Sequence, residues 1–131
     1  MKAPSMDEWL QEAKQDPAAK ECGMYLFHNG VVRETPKAKV RETGDLESAG
    51  KTVTGLFFSY DQEKVDAAIR MALRMPGIFY VRVWLNEGEL QTGDDIMLVL
   101  VGGDIRPRVI NAIQALVGEI KNHCVVETER Y

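Results

Sequence analysis

The segment from Gly102 to Arg106 contains residue types that bind anions at the start of a helix. Two glycines follow an apolar strand pattern, and Pro107 opens a helical one, so backbone N–H groups there would be free of side-chain obstruction. The guanidinium of Arg106 would add two parallel hydrogen bonds to an oxyanion. The simpler interpretation is a tight turn. The segment matches neither a P-loop nor a GxGxxG dinucleotide motif, so it identifies no nucleotide.

Three further side chains have the chemistry to hold an anion or to move a proton: Arg33, Lys121 and His28. Lys121 ends the helical pattern that begins near Arg106, where a lysine is also common because a helix C-terminus attracts cations. Arg33 closes an apolar strand pattern and His28 lies within it, so both also fit solvated strand positions. The residue types alone leave these alternatives open.

The carboxylates and the cysteines offer less chemistry. Acid–base work by paired carboxylates needs burial, which turn-forming segments do not provide. The acids in such segments are Glu87, Glu89, Asp94 and Asp95. Cys22 and Cys124 form no CxxC motif, which predicts two reduced thiols. Because the chain has only two histidines, we predict neither a metal site nor a cofactor.

Composition limits the class of protein. The chain has 131 residues, of which 45% are hydrophobic and 27% are charged, as expected of one domain spanning residues 1–131. Its net charge of −4 argues against a general nucleic-acid binder. No apolar run approaches the roughly 20 residues of a membrane span, and the polar N-terminal residues lack a signal-peptide pattern. We therefore expect a cytoplasmic protein with no nucleic-acid and no membrane partner.

The apolar pattern predicts an α+β fold. Ser5 and Glu8 form a capping box that opens a short helix, which is too poor in apolar residues to be more than an accessory element. An apolar strand follows over residues 23–33, with a bulge expected at Gly30. From Val53 onward the elements follow the ferredoxin-like order β-α-β-β-α-β. These are strands at 53–60, 78–85, 96–101 and 123–128, and helices at 62–75 and after Pro107; the strand at 96–101 should be central and buried on both faces.

A long segment without apolar runs, residues 34–52, separates the first strand from this core. Loops of this length inside a domain are unusual and often functional. Between Arg33 and Lys51 the basic residues slightly outnumber the acidic ones. We therefore predict a mobile loop over residues 34–52.

Taken together, three motifs resemble the large, catalytic subunit of molybdopterin synthase. They are the Gly-x-Val-Arg element at residues 30–33, the Gly-Glu-Leu-x-x-Gly-Asp turn at residues 88–94, and Arg106 followed fifteen positions later by Lys121. The resemblance extends from about Gly23 to Thr128. It implies a fold of the alpha/beta hammerhead type.

The resemblance also implies sulfur transfer in molybdenum cofactor biosynthesis. In that family a ubiquitin-like small subunit inserts a C-terminal Gly-Gly thiocarboxylate into the large subunit, and cyclic pyranopterin monophosphate receives the sulfur. The large subunit is a homodimer, which gives a heterotetramer with two small subunits. By this resemblance Lys121 is catalytic, and Arg33 and Arg106 bind anionic groups of the substrate. Supporting positions are His28, Gly103 and Lys51.

Two family residues are absent at the matching positions. The family's His-Arg pair is Ile105-Arg106 here, and a second lysine expected seven residues after Lys121 falls on Thr128. Candidates to replace that lysine are Arg130, Lys37, Lys39 and Lys51. Two alternatives therefore stay open: a family member without synthase activity that binds another pterin, nucleotide or protein tail, and an unrelated ferredoxin-like domain that binds a regulatory or other ligand.

Overall fold

Three α-helices and six strands make up the part of the chain that the computed structural model describes, residues 2–35 and 52–131. The helices are α1 (Met6–Lys14), α2 (Gln62–Leu73) and α3 (Arg106–Glu119). The strands are β1 (Met24–Val31), β2 (Gly55–Tyr60), β3 (Ile78–Leu85), β4 (Gly88–Gln91), β5 (Asp95–Gly103) and β6 (Val125–Arg130). A 3-10 helix, Pro17–Glu21, follows α1, and a π-helical turn, Ile120–Cys124, follows α3. The α+β class is confirmed, and so is the predicted order of elements except for the additional strand β4.

The strands form two antiparallel sheets of three strands each, ordered β1-β5-β3 and β4-β2-β6. β5 lies in the middle of the first sheet and is buried from Ile96 to Gly103, so the prediction of a central strand covered on both faces is confirmed. The apolar pattern predicts the order of the strands but not their division between sheets. β2 and β6 pair with each other, and β4 completes their sheet.

Helices α2 and α3 pack against these sheets through regularly spaced apolar residues. In α3 the residues Val109, Ala112 and Leu116 recur every three or four positions and are fully buried, which gives the helix one apolar face. The carboxylate of Asp61 accepts hydrogen bonds from the backbone N–H groups of Glu63 and Lys64, which caps α2. The buried residues of α3 contact the sheet at several places along the helix and so fix its direction.

Helix α1 is more than an accessory element, and that prediction is wrong. Trp9 is only 4% exposed and forms a second core cluster with Leu98 and Leu100, on the opposite face of β5 from α3. The guanidinium of Arg82 lies 4.5 Å from the centre of the Trp9 ring and also pairs with Glu12. One large aromatic side chain thus provides the buried area that the sparse apolar pattern of α1 lacks.

Two local features bear on the site. The register of β1 against β5 shifts between Gly30 and Val31, which confirms the predicted bulge. Residues Gly88–Gln91, expected as part of a turn, form strand β4, because pairing with β2 and burial of Leu90 outweigh the turn-forming preference of the sequence. None of the helices within residues 2–35 and 52–131 is long and apolar enough to cross a membrane.

Candidate functional site

The predicted site residues lie at two opposite ends of the first sheet. β1 and β5 run antiparallel, with Met24 opposite Gly103 at one end and Gly30 opposite Met97 at the other. Helix α3 starts beyond Gly103 and returns along the sheet. At a rise of 1.5 Å per residue, the fifteen residues from Arg106 to Lys121 span roughly 22 Å. Arg106 and Lys121 of one chain therefore do not face the same ligand.

Arg33 and Lys121 line a single narrow cleft, located where the two sheets meet. We call it the cleft. Its walls come from the end of β1, the start of β5, β2 and β6. The other lining residues are Gly30, Val31, Val32, Val53, Leu56, Ile96, Met97, Glu127 and Glu129. The two cations thus share the cleft with two carboxylates, and most of the remaining lining residues are apolar.

The bulge in β1 places Arg33 at the mouth of the cleft. Val32 is 4% exposed and anchors the chain, because its N–H donates to the Asp94 carbonyl and its carbonyl accepts from the Gly93 N–H. Gly93 has a φ of 91°, a conformation that glycine adopts without strain. The exposed Arg33 follows directly after this anchor, so its position is set by the Gly-Asp turn that the sequence motif contains.

Lys121 belongs to the π-helical turn Ile120–Cys124 that closes α3. Ile120 and Cys124 are buried on either side of it, which fixes the turn while Lys121 itself is only partly buried. The Cys124 thiol donates to the Glu119 carbonyl over 3.7 Å, and burial raises the pKa of this thiol. π-helical turns are rare and occur frequently at functional sites.

His28 lies on β1 behind the wall of the cleft. A Cβ built on Gly30 would lie 3.6 Å from the His28 Nε2 and 3.8 Å from the Met97 Cβ, so the imidazole borders the lining residue Gly30. Burial lowers the pKa of His28, and the positive charge of Lys121 lowers it further. The structure therefore brings three of the predicted residues together at this end: Arg33, Lys121 and His28.

Two carboxylates in the cleft were missed by the sequence analysis. Glu127 and Glu129 alternate along β6 with exposed residues, and both line the cleft. Thr128, the position where the resemblance expects a second lysine, is exposed on the other face of the strand. Arg130 is also exposed and pairs with Glu89. Residues two apart on a strand share a face, so the sequence alone places Glu127 and Glu129 on the same side of β6. Which side of β6 faces the cleft is known only from the structure.

Arg106 and Gly103 lie at the far end of α3, away from the cleft. Arg106 is exposed, and the Asp104 carboxylate lies next to the start of the helix although it does not cap it. Asp104 accepts from the Ile105 N–H and from Arg108, each over 2.7 Å. Within one chain, Arg106 therefore does not complete the predicted anion site. The remaining predicted residue, Lys51, and most of the predicted loop lie outside the described residues, as do Lys37 and Lys39.

The structure gives Gly103 a packing role. A Cβ at this position would lie 2.5 Å from the Gly77 carbonyl oxygen and 2.7 Å from a Val109 methyl group. We expect Gly103→Ala to lower the free energy of unfolding by about 1–3 kcal/mol, because the strand and helix would have to move apart. Urea denaturation followed by circular dichroism measures this change.

Gly118→Ala is the matched control for that substitution. Gly118 lies in α3, and an added Cβ would meet no atom within 4 Å. Alanine there should stabilise the helix by up to about 1 kcal/mol. A Gly103→Ala variant as stable as the unchanged chain would contradict the packing role.

The surroundings of the two cysteines indicate structural rather than reactive thiols. Burial raises the pKa of Cys22, whose thiol donates to the Ala18 carbonyl over 3.7 Å. Neither Cys22 nor Cys124 lines the cleft. A raised pKa leaves a thiol mostly protonated and weakly nucleophilic at neutral pH. Any sulfur chemistry in the cleft would thus need a sulfur donor other than these two thiols.

The MoaE protein family matches residues 3–123, which is most of the chain. The chain belongs to this family. MoaE proteins are the large, catalytic subunits of molybdopterin synthase and act in molybdenum cofactor biosynthesis. Of the alternatives that the sequence left open, the unrelated ferredoxin-like domain is excluded. The two that remain are a MoaE protein with synthase activity and one without it.

Solved structures of MoaE proteins share the fold at low sequence identity. Molybdopterin synthase from Staphylococcus aureus is 18% identical with a TM-score of 0.73, over 100% of this chain and 88% of that one. The MoaE protein of Burkholderia ambifaria is 15% identical with a TM-score of 0.71, over 99% and 83%. A complex of subunits 1 and 2 of the Helicobacter pylori molybdopterin-converting factor is 16% identical with a TM-score of 0.65, over 98% and 80%. No curated protein matches the sequence significantly.

Proposed function

We propose that this chain transfers sulfur from the C-terminal thiocarboxylate of a ubiquitin-like small subunit to cyclic pyranopterin monophosphate, forming the dithiolene of molybdopterin. The observation that carries the proposal is the pairing of Arg33 and Lys121 in one cleft of a MoaE protein. The Helicobacter pylori relative forms a complex of two subunits, which supports a small-subunit partner.

The cleft has features that suit an inserted Gly-Gly tail. A glycine tail has no side chains, so it fits a narrow space between Gly30 and the apolar residues Leu56 and Met97. Arg33 at the mouth binds an anionic group, the substrate phosphate, through charge-assisted hydrogen bonds. The Lys121 ammonium lies further along the cleft and stabilises negative charge that develops on the thiocarboxylate carbon's oxygen as sulfur is transferred.

Arg106 joins such a site only from a second copy of the chain. It is exposed and separated from the Lys121 of its own chain by the length of α3, roughly 22 Å. A homodimer that places the start of one α3 beside the cleft of the other chain would unite the two cations. With one small subunit inserted into each cleft, the assembly would be a heterotetramer with two separate sites.

The cleft carboxylates favour a second candidate function, a MoaE protein that binds a partner's tail without turnover. Glu127 and Glu129 occupy the β6 positions that face the cleft, and Thr128 faces away from it. The site therefore holds two acids beside Arg33 and Lys121, which weakens its attraction for anions. Catalysis by this chain would depend on Lys121 more heavily than in a site with two lysines.

Reconstitution distinguishes the two candidates. The purified chain is mixed with thiocarboxylated small subunit and cyclic pyranopterin monophosphate, and dithiolene product is measured. We expect product only when all three components are present. A small subunit that ends in an ordinary carboxylate is the matched control, because it binds the same cleft but carries no sulfur.

Absence of product above the partner-only control would refute the synthase activity. Binding of the small subunit, measured by calorimetry in the same samples, then separates a non-catalytic tail-binding protein from a chain that does not engage this partner. The test uses the whole chain, so residues 34–52 are present.

A further inference from the structure

His28 has an unexplained buried nitrogen. Its Nε2 is inaccessible to solvent and has no hydrogen-bond partner within residues 2–35 and 52–131. A buried polar atom left without a partner is costly, by about as much as a typical hydrogen bond contributes or more. The atom lies behind Gly30, which lines the cleft, and Lys121 is the charged group that acts on its imidazole.

The surroundings decide which form of the ring fits. A positively charged imidazole would be buried beside the Lys121 ammonium, and both burial and that charge lower the pKa of His28. A neutral ring carries one proton and one lone pair on its two nitrogens. Because an ammonium is only a donor, a ring nitrogen that pairs with Lys121 must be the acceptor. Nε2, the nitrogen buried without a partner, is the candidate for that acceptor, which places the proton on Nδ1.

We propose that His28 is a positioning residue for Lys121: its unprotonated Nε2 accepts a hydrogen bond from the Lys121 ammonium and holds the amine toward the wall at Gly30. The interaction forms in the unbound chain, when the flexible lysine side chain turns toward Gly30. The kinetic part of this inference rests on the proposed function, whereas the state of the ring does not.

The other charged groups around the cleft differ from Lys121 in their effect on the pKa of His28. Arg33 lies at the mouth after β1, and Glu127 and Glu129 project from β6. These groups line the cleft, but burial and Lys121 are the causes of the lowered pKa of His28. Removing the Lys121 charge should therefore change the titration of His28 more than removing a distant lysine would.

Nuclear magnetic resonance tests the state of the ring directly. The chain has two histidines, His28 and the exposed His123, so two sets of ring signals are expected. We expect the ring nitrogen shifts of His28 at neutral pH to show the Nδ1–H tautomer. We also expect the titration midpoint of His28 to lie below the ordinary value of an imidazole. Lys121→Met should raise the midpoint of His28, and the matched control Lys14→Met on α1 should leave it unchanged.

A kinetic comparison tests the positioning role. His28→Phe keeps a ring of similar shape but removes the acceptor, and it should lower kcat about 10-fold with little change in KM for the small subunit, because a hydrogen bond to a charged group is lost. His28→Gln restores a neutral acceptor and should recover much of the rate. The pH profile of His28→Phe should differ from that of the unchanged chain, which a purely structural effect would not produce.

The outcomes separate this inference from the proposed function. An Nε2–H tautomer, or an unchanged His28 midpoint in Lys121→Met, would overturn the interaction whatever the enzyme does. Full kcat in both His28 variants would overturn the positioning role. If the unchanged chain has no synthase activity but the ring measurements agree, the His28–Lys121 interaction stands and the proposed function fails.

Discussion

Lys121→Ala is expected to lower the rate of sulfur transfer by about 100-fold or more, the loss typical of deleting one group that stabilises charge in a transition state. Lys121 is the lysine that lines the cleft within the described residues. The position seven residues further on is Thr128, which is exposed on the opposite face of β6. With no second lysine at that position to share the task, the effect should appear in kcat.

The effect of Lys121→Ala on stability can be measured separately from its effect on catalysis. Lys121 is only partly buried, and the buried residues Ile120 and Cys124 hold its turn, so the thermal unfolding midpoint should stay within a few degrees. Lys121→Arg keeps the positive charge but loses the readily titrated amine, so it tells charge stabilisation from proton transfer. Lys14→Ala, on α1, is the control for loss of an exposed lysine. Full activity of a folded Lys121→Ala would contradict the assignment of this residue.

The sequence predicted the elements of the fold well because their apolar periods are strong. The continuous apolar run at 96–101 could only be a strand covered on both faces, and β5 is that strand. The exception is β4, whose Gly88 and neighbouring turn residues suggested a turn. Its strand conformation comes from pairing with β2, a contact made by residues at least thirty positions away in the chain.

The candidate site was predictable only in part. Arg33 and Lys121 were chosen through the resemblance, and the structure brings them into one cleft. Arg106 lies at the other end of α3 from Lys121, and the rise per residue alone shows that the two side chains of one chain are far apart. The carboxylates escaped notice because a one-residue change of register reverses which face a strand residue occupies. The π-helical turn before β6 changes that register.

The surroundings of His28 could not be predicted from the sequence for a different reason. Its position in an apolar strand was compatible with a surface residue, and nothing local in the sequence indicates that its Nε2 is buried behind Gly30. The interaction with Lys121 joins two residues that are ninety-three positions apart (121 − 28) in the chain. Such a pair becomes visible only once the path of α3 back along the sheet is known.

Mixed dimers of Lys121→Ala and Arg106→Ala should regain activity that neither variant has alone. We expect each pure variant to be impaired, Arg106→Ala by about 10-fold or more because one charge-assisted contact to the substrate is lost. In a dimer with one chain of each kind, one cleft combines an intact Lys121 with the intact Arg106 of the other chain. Such a dimer, isolated through two different affinity tags, should have about half of the activity of the unchanged dimer.

The activity of the mixed dimer depends on which chain supplies the Arg106 beside each cleft, and not on the strength of either contact. If Arg106 acted on the cleft of its own chain, every cleft of the mixed dimer would lack one of the two cations, and activity would stay at the level of the pure variants. The rigid α3 makes that arrangement unattainable, because no arginine side chain extends over roughly 22 Å. Dimers that mix the unchanged chain with the double variant are the control: their clefts each lack one cation, so they should be weaker than the complementing pair although both dimers carry the same substitutions.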